Sequence, residues 1–125
     1  MKIIFYANNM NKIRKTFESE IQKDLSRMEF QTSNSITMLL EILRQPLNRI
    51  SVIVILISSK DELKEFISII SFFENIRVIL ILPDREKQTV SLGMKLYPSF
   101  ISYTDSGAKD TCAVLKKIQA ITREN

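Results

Sequence analysis

Three short segments of the chain, residues 2–6, 51–57 and 78–82, are rich in isoleucine and valine and show none of the polar alternation of a half-wetted strand. Uninterrupted apolar runs of this length predict strands buried on both faces, as in a parallel sheet with helices above and below. Residues 28–32 alternate as an edge strand does, and residues 100–103 form a short aromatic candidate.

The segments between these runs carry helical periodicity. Met10, Ile13, Phe17, Ile21 and Leu25 recur every three or four residues. Ile36, Leu39, Leu40 and Leu43 repeat that spacing after Ser33, Asn34 and Ser35, a run of good N-caps, and Pro46 limits the far end. Leu63, Phe66, Ile67 and Ile70 follow Ser59-Lys60-Asp61-Glu62, which fits a capping box with Ser59 as the cap. A fourth helix is expected over residues 85–96, weakened in its last turn by Gly93. The last follows Ser106-Gly107 and carries Cys112, Leu115, Ile118 and Ile121. Five βα units predict one three-layer α/β/α domain over residues 1–125, with a five-stranded parallel sheet in the order 2-1-3-4-5.

Composition narrows the chemistry. The 125 residues contain no histidine, two glycines and one cysteine. Serine–histidine and cysteine–histidine catalysis and histidine-ligated metals are thereby excluded, and no glycine-rich phosphate loop of the usual kind is present. Cys112 lies in an apolar stripe and reads as a small buried hydrophobe. The N-terminal run is too short for a signal peptide and no run reaches membrane-spanning length, so a cytoplasmic protein is expected. Eighteen Lys and Arg against 14 Asp and Glu give a net charge of +4. Those cations are dispersed among acids, which argues for a solvated surface and against nucleic-acid binding.

In a sheet of this order, ligands sit beyond the carboxyl ends of the strands, where strand order reverses. The βα order, the strand spacing and the segment RVILILPDREKQTVSLGMKLYPSFISYTDSGAKDTCAVLKKI resemble the receiver domain of bacterial response regulators, a flavodoxin-like fold, along essentially the whole chain. The resemblance lies in hydrophobicity and length and includes few identities. Receivers carry an acidic pair after the first strand, and KIIFYANN places Ala7 and Asn8 there. Their phosphoacceptor aspartate falls on Ile57 or Ser58, their strand-four threonine or serine on Leu82 or Pro83, and their lysine-proline pair on Tyr103 and Thr104. Without these groups there is no carboxylate nucleophile, no Mg²⁺ ligand set and no fixed cation for a phosphoryl group.

What the resemblance implies is therefore a degenerate pseudo-receiver: a non-catalytic, phosphorylation-independent module of a two-component-type pathway. It would need neither cofactor nor metal and would act through a protein partner or a second copy of itself. Tyr97, Phe100, Tyr103, Phe72 and Phe73 are the candidate interaction surface, Phe100 standing at the family's switching aromatic. The structural counterpart is that Phe100 and Tyr97 fill the edge of the core. An alternative of another class is a small α/β enzyme or nucleotide-binding protein using Ser58, Asp84 and Asp105 at the strand ends. Asp84 and Asp105 are each also accounted for as helix-capping or turn residues, and Asn8 and Asn9 as turn residues.

Overall fold

The computed structural model describes residues 1–8, 11–25, 28–46 and 49–124. Asn9 and Met10, read above as turn and helix residues, lie outside them. Among the described residues, strands and helices alternate as β1 (Lys2–Ala7), α1 (Asn11–Asp24), β2 (Glu29–Ser33), α2 (Ile36–Leu43), β3 (Ile50–Leu56), α3 (Lys60–Ser68), β4 (Arg77–Leu82), α4 (Lys87–Met94), β5 (Phe100–Tyr103) and α5 (Lys109–Glu124). All adjacent strands pair in parallel, in the order β2-β1-β3-β4-β5.

The dry runs become the centre of the sheet because their side chains must be covered twice. Ile3, Phe5, Val52, Val54, Leu56, Ile79 and Ile81 face one side, where they meet Phe17 and Ile21 of α1 and Cys112, Leu115 and Ile118 of α5. Ile4, Tyr6, Ile53, Ile55, Leu80 and Leu82 face the other, against Leu39 and Ile42 of α2 and Leu63 and Phe66 of α3. Full burial of one such side chain is worth about 1.5–3 kcal/mol, so the two apolar layers are the main stabilising term. Helix α4 sets Gly93 against the sheet. A Cβ there would stand 3.3 Å from Leu80 Cδ1 and 3.5 Å from both Leu82 methyl carbons, a tight contact that the leucines would have to yield to.

Three expectations change. The third helix ends at Ser68 and tightens into a 3₁₀ turn over Ile70–Phe73. Phe72 and Phe73 therefore do not extend a helical face: Phe73 turns inward against Phe66, and Phe72 turns outward beneath the Arg44 guanidinium, 5.5 Å from its ring centroid. The fourth helix is shorter than expected. Arg85 stands ahead of its first turn, and Leu96 lies beyond its end, buried. Ile13 and Ile121, placed in the first and last apolar stripes, are 40% and 49% exposed. No helix among the described residues is long and apolar enough to cross a membrane.

Cys112 lies in the α1/α5 layer, its Sγ 3.8 Å from the Glu20 carbonyl oxygen. Burial, then the nearby Asp24 and Glu20 carboxylates, push the thiol up to about 11 from an ordinary 9.0. The unfolded chain therefore releases this proton at lower pH than the folded one, and alkali favours unfolding. Denaturant titrations should show stability unaffected by this group below about pH 9 and falling as pH rises towards about 11. The fall should be smaller in Cys112→Ala. A disulfide-exchange reagent at neutral pH should label wild-type Cys112 only as fast as the fold opens.

Candidate functional site

Strand order reverses between β1 and β3, and the chain leaves them through Asn8 and Ser58. The Ser59 hydroxyl accepts from Glu62 N–H at 3.2 Å and so caps α3. That start of the helix places Glu62 over the reversal point, only 7% exposed. A capping box would return the Glu62 carboxylate to the backbone N–H of the cap residue itself. Instead Oε1 accepts from the Ser58 N–H at 2.8 Å and the Ser58 hydroxyl at 3.1 Å. Oε2 accepts from the Tyr6 hydroxyl at 2.9 Å and Asn8 Nδ2 at 3.0 Å. Asn8 Nδ2 also donates to Ser58 Oγ at 2.9 Å, which ties the two strand ends together.

Four donors on two oxygens match the acceptor capacity of a carboxylate. Tyr6 is held from below by Phe66, edge to face at 4.8 Å between centroids. Burial, followed by the Glu62 charge and hydrogen bond, pushes the Tyr6 phenol well above its ordinary value, so it remains a donor. In this arrangement the carboxylate is an internal strut. To take a cation, Glu62 must first give up a protein hydrogen bond.

Of the positions the receiver resemblance singles out, Asn8 and Ser58 meet at this point. Ala7, Ile57 and Leu82 are buried in the two apolar layers, and Pro83 follows β4. Thr104 opens a 3₁₀ turn that ends at Ser106. Tyr103 is covered by Arg85, whose guanidinium lies 4.2 Å from the ring centroid. Arg85 Nη1 continues to both Asp105 oxygens at 2.8 and 2.7 Å, and Nη2 to Ser106 Oγ at 3.1 Å. These hydrogen bonds hold the Asp105 carboxyl below its ordinary value.

Asp84 accepts from Glu86 N–H at 2.9 Å, a turn contact ahead of α4 that leaves the helix without a side-chain cap. The Thr89 hydroxyl, which approaches Asp84 without the geometry of a full hydrogen bond, and that Glu86 N–H lower its pKa. Ser58, Asp84 and Asp105 are thus engaged with three different sets of partners. Among the described residues, no group of three or more acids or cysteines is placed to hold a metal ion. Sequence reasoning missed the centre of this region, Glu62, and the clasp residue Arg85. The available signal was a glutamate in the first turn of a helix beginning where an Asn and a Tyr converge from another strand.

Removing the strut should be costly. Glu62→Ala takes the acceptor from four donors, three of them on buried or half-buried side chains, and is expected to destabilise by about 3 kcal/mol or more. Tyr6→Phe removes one donor and leaves three, for a loss of about 1.5–2 kcal/mol. Paired with Glu62→Gln in a double-mutant cycle read by chemical denaturation, the two substitutions should be non-additive.

No protein-family model, curated protein or solved structure matches the chain. Its five parallel strands in the order 2-1-3-4-5, between layers of helices, fit a flavodoxin-like fold.

Proposed function

We propose that the chain is a non-catalytic, receiver-like regulatory module of a cytoplasmic two-component-type pathway, working through protein contacts without being phosphorylated. The observation that carries this reading is the Glu62 strut. The place where such folds hold a ligand is occupied by a carboxylate of the protein's own, bonded to four of its own donors. Around it, Ala7 and Asn8 supply no acidic pair and Ser58 no carboxylate nucleophile. At the end of β5, where a receiver offers a lysine, the aromatic ring of Tyr103 lies beneath an arginine already paired to Asp105. The separate engagement of Ser58, Asp84 and Asp105 gives the alternative of an enzyme or nucleotide-binding protein no assembled site.

A contact surface is favoured by Tyr97. Its side chain is 84% exposed, and neighbouring Met94 is 56% exposed. Beside them a depression of about 450 Å³ is lined in part by Ile70, Phe73, Ile76 and Leu96. Tyr97 also holds a left-handed backbone, φ 50°, immediately before Pro98. That conformation costs a non-glycine residue roughly 1–2 kcal/mol, with little burial here in return. A strained, exposed aromatic beside an apolar depression suits a surface kept for a partner. Of the other aromatic candidates, Phe73 is buried, Phe100 packs partly buried on the α1/α5 layer, and Phe72 and Tyr103 lie under arginines. The reading therefore centres the contact surface on Tyr97 and Met94.

Incubation with acetyl phosphate and Mg²⁺ should add no phosphoryl group detectable by intact mass; a Mg²⁺-dependent, hydroxylamine-sensitive adduct would overturn the proposal. Asparagine tolerates the left-handed conformation, so Tyr97→Asn should raise thermal stability, by up to about 1 kcal/mol, while removing the aromatic contact. A loss of stability would mean that Tyr97 serves the fold.

A further inference from the structure

A second surface lies apart from Tyr97. Helices α3 and α4 run beside each other, and the depression between them, about 480 Å³, is lined by Lys60, Lys64, Lys87, Gln88, Ser91 and Leu92. The helical repeat explains the set. Lys60 and Lys64 are one turn apart on α3, as are Lys87 and Ser91, and Gln88 and Leu92, on α4. Like charges at that spacing repel and weaken a helix. Lys64 and Lys87 have no ion-pair partner among the described residues, and both are exposed. Lys60 does have one: its Nζ lies 3.0 Å from a Glu86 carboxylate oxygen and 3.2 Å from Gln88 Oε1. The groove's rim thus already holds one carboxylate, supplied by the chain itself.

We infer that this groove binds an extended acidic peptide of a partner protein. Its carboxylates would pair with Lys64 and Lys87, and an apolar side chain would rest on Leu92 and the lysine stems. Charge complementarity selects the acidic partner. The apolar floor, together with the Gln88 amide and Ser91 hydroxyl, selects a peptide over a phosphate backbone, which would ask for cations along a continuous track. The inference goes beyond the Tyr97 surface and does not depend on it. It also stands whether or not the chain can be phosphorylated.

The test is fluorescence anisotropy of the full chain with a labelled peptide of glutamate and leucine, at low and moderate salt. Lys64→Glu and Lys87→Glu should each weaken binding at least tenfold. Lys116→Glu, on α5 at the opposite face, should leave it within twofold. Lys64→Glu should leave the melting temperature nearly unchanged, because it exchanges the repulsion from Lys60 for an attraction and the attraction of Asp61, three residues back, for a repulsion of similar size. Folding failure therefore cannot imitate the effect, and Lys64→Ala provides a milder second variant. Three outcomes would overturn the inference: no binding at low salt, equal weakening by Lys116→Glu, or equal affinity for oligoglutamate without leucine. Tighter binding of single-stranded oligothymidylate than of the peptide would also overturn it and assign the groove to nucleic acid.

Discussion

Every side chain from Ile3 to Phe5, from Val52 to Ile57 and from Val78 to Leu82 is apolar, and nearly all are inaccessible to water. Such strands can exist in water only with a helical layer against each face, and a parallel crossover supplies one helix per strand. The remaining architecture follows from that requirement. Helices α1 and α5 close one side, and α2, α3 and α4 close the other. The chain leaves β1 towards α1 on one face and β3 towards α3 on the other, so strand order reverses between these neighbours at the edge where such sheets form a crevice. What occupies the crevice is then the question that separates one chain of this fold from another.

Here the occupant is a single carboxylate carried by α3. Glu62 accepts from a phenol, an amide, a hydroxyl and a backbone N–H gathered at the strand ends. In receivers several acids face one another at this place and need a cation between them. One carboxylate with four neutral donors needs none, since the local charge is already spread over hydrogen bonds. The Arg85–Asp105 clasp has the same quality farther along the edge, where a guanidinium shields Tyr103 and neutralises the nearest acid. Polar groups along this edge are numerous, and most are already engaged with one another.

The sheet was legible in the sequence because a strand dry on both faces leaves a direct trace: β-branched residues in succession, with no polar partner at every second position. The strand order followed from five βα units. The N-caps Ser35 and Ser59 were legible for a similar reason, because each acts within three residues of itself. The strut was hidden because Tyr6 and Glu62 are 56 residues apart, and the local pattern around Glu62 has a satisfactory explanation of its own as a capping box. The end of α3 was obscured by a surplus. With Ile67, Ile69, Ile70, Phe72 and Phe73 nearly consecutive, helical periodicity cannot mark where the helix gives way to a 3₁₀ turn. Arg85 was read as one of many scattered cations, since nothing in its own neighbourhood announces an aromatic ring 18 residues later.

The sheet's two margins have a consequence for how this molecule meets others. Its outer strands, β2 and β5, span only five and four residues, and β2 carries Glu29, Gln31 and Thr32 among them. A polar β2 and a β5 of only four residues offer a poor template for an incoming strand, so pairing by sheet extension, with its drift towards fibrous aggregation, is disfavoured. Recognition is left to side chains on the helices and connecting turns, where single substitutions can retune an interaction without disturbing the backbone ladder beneath.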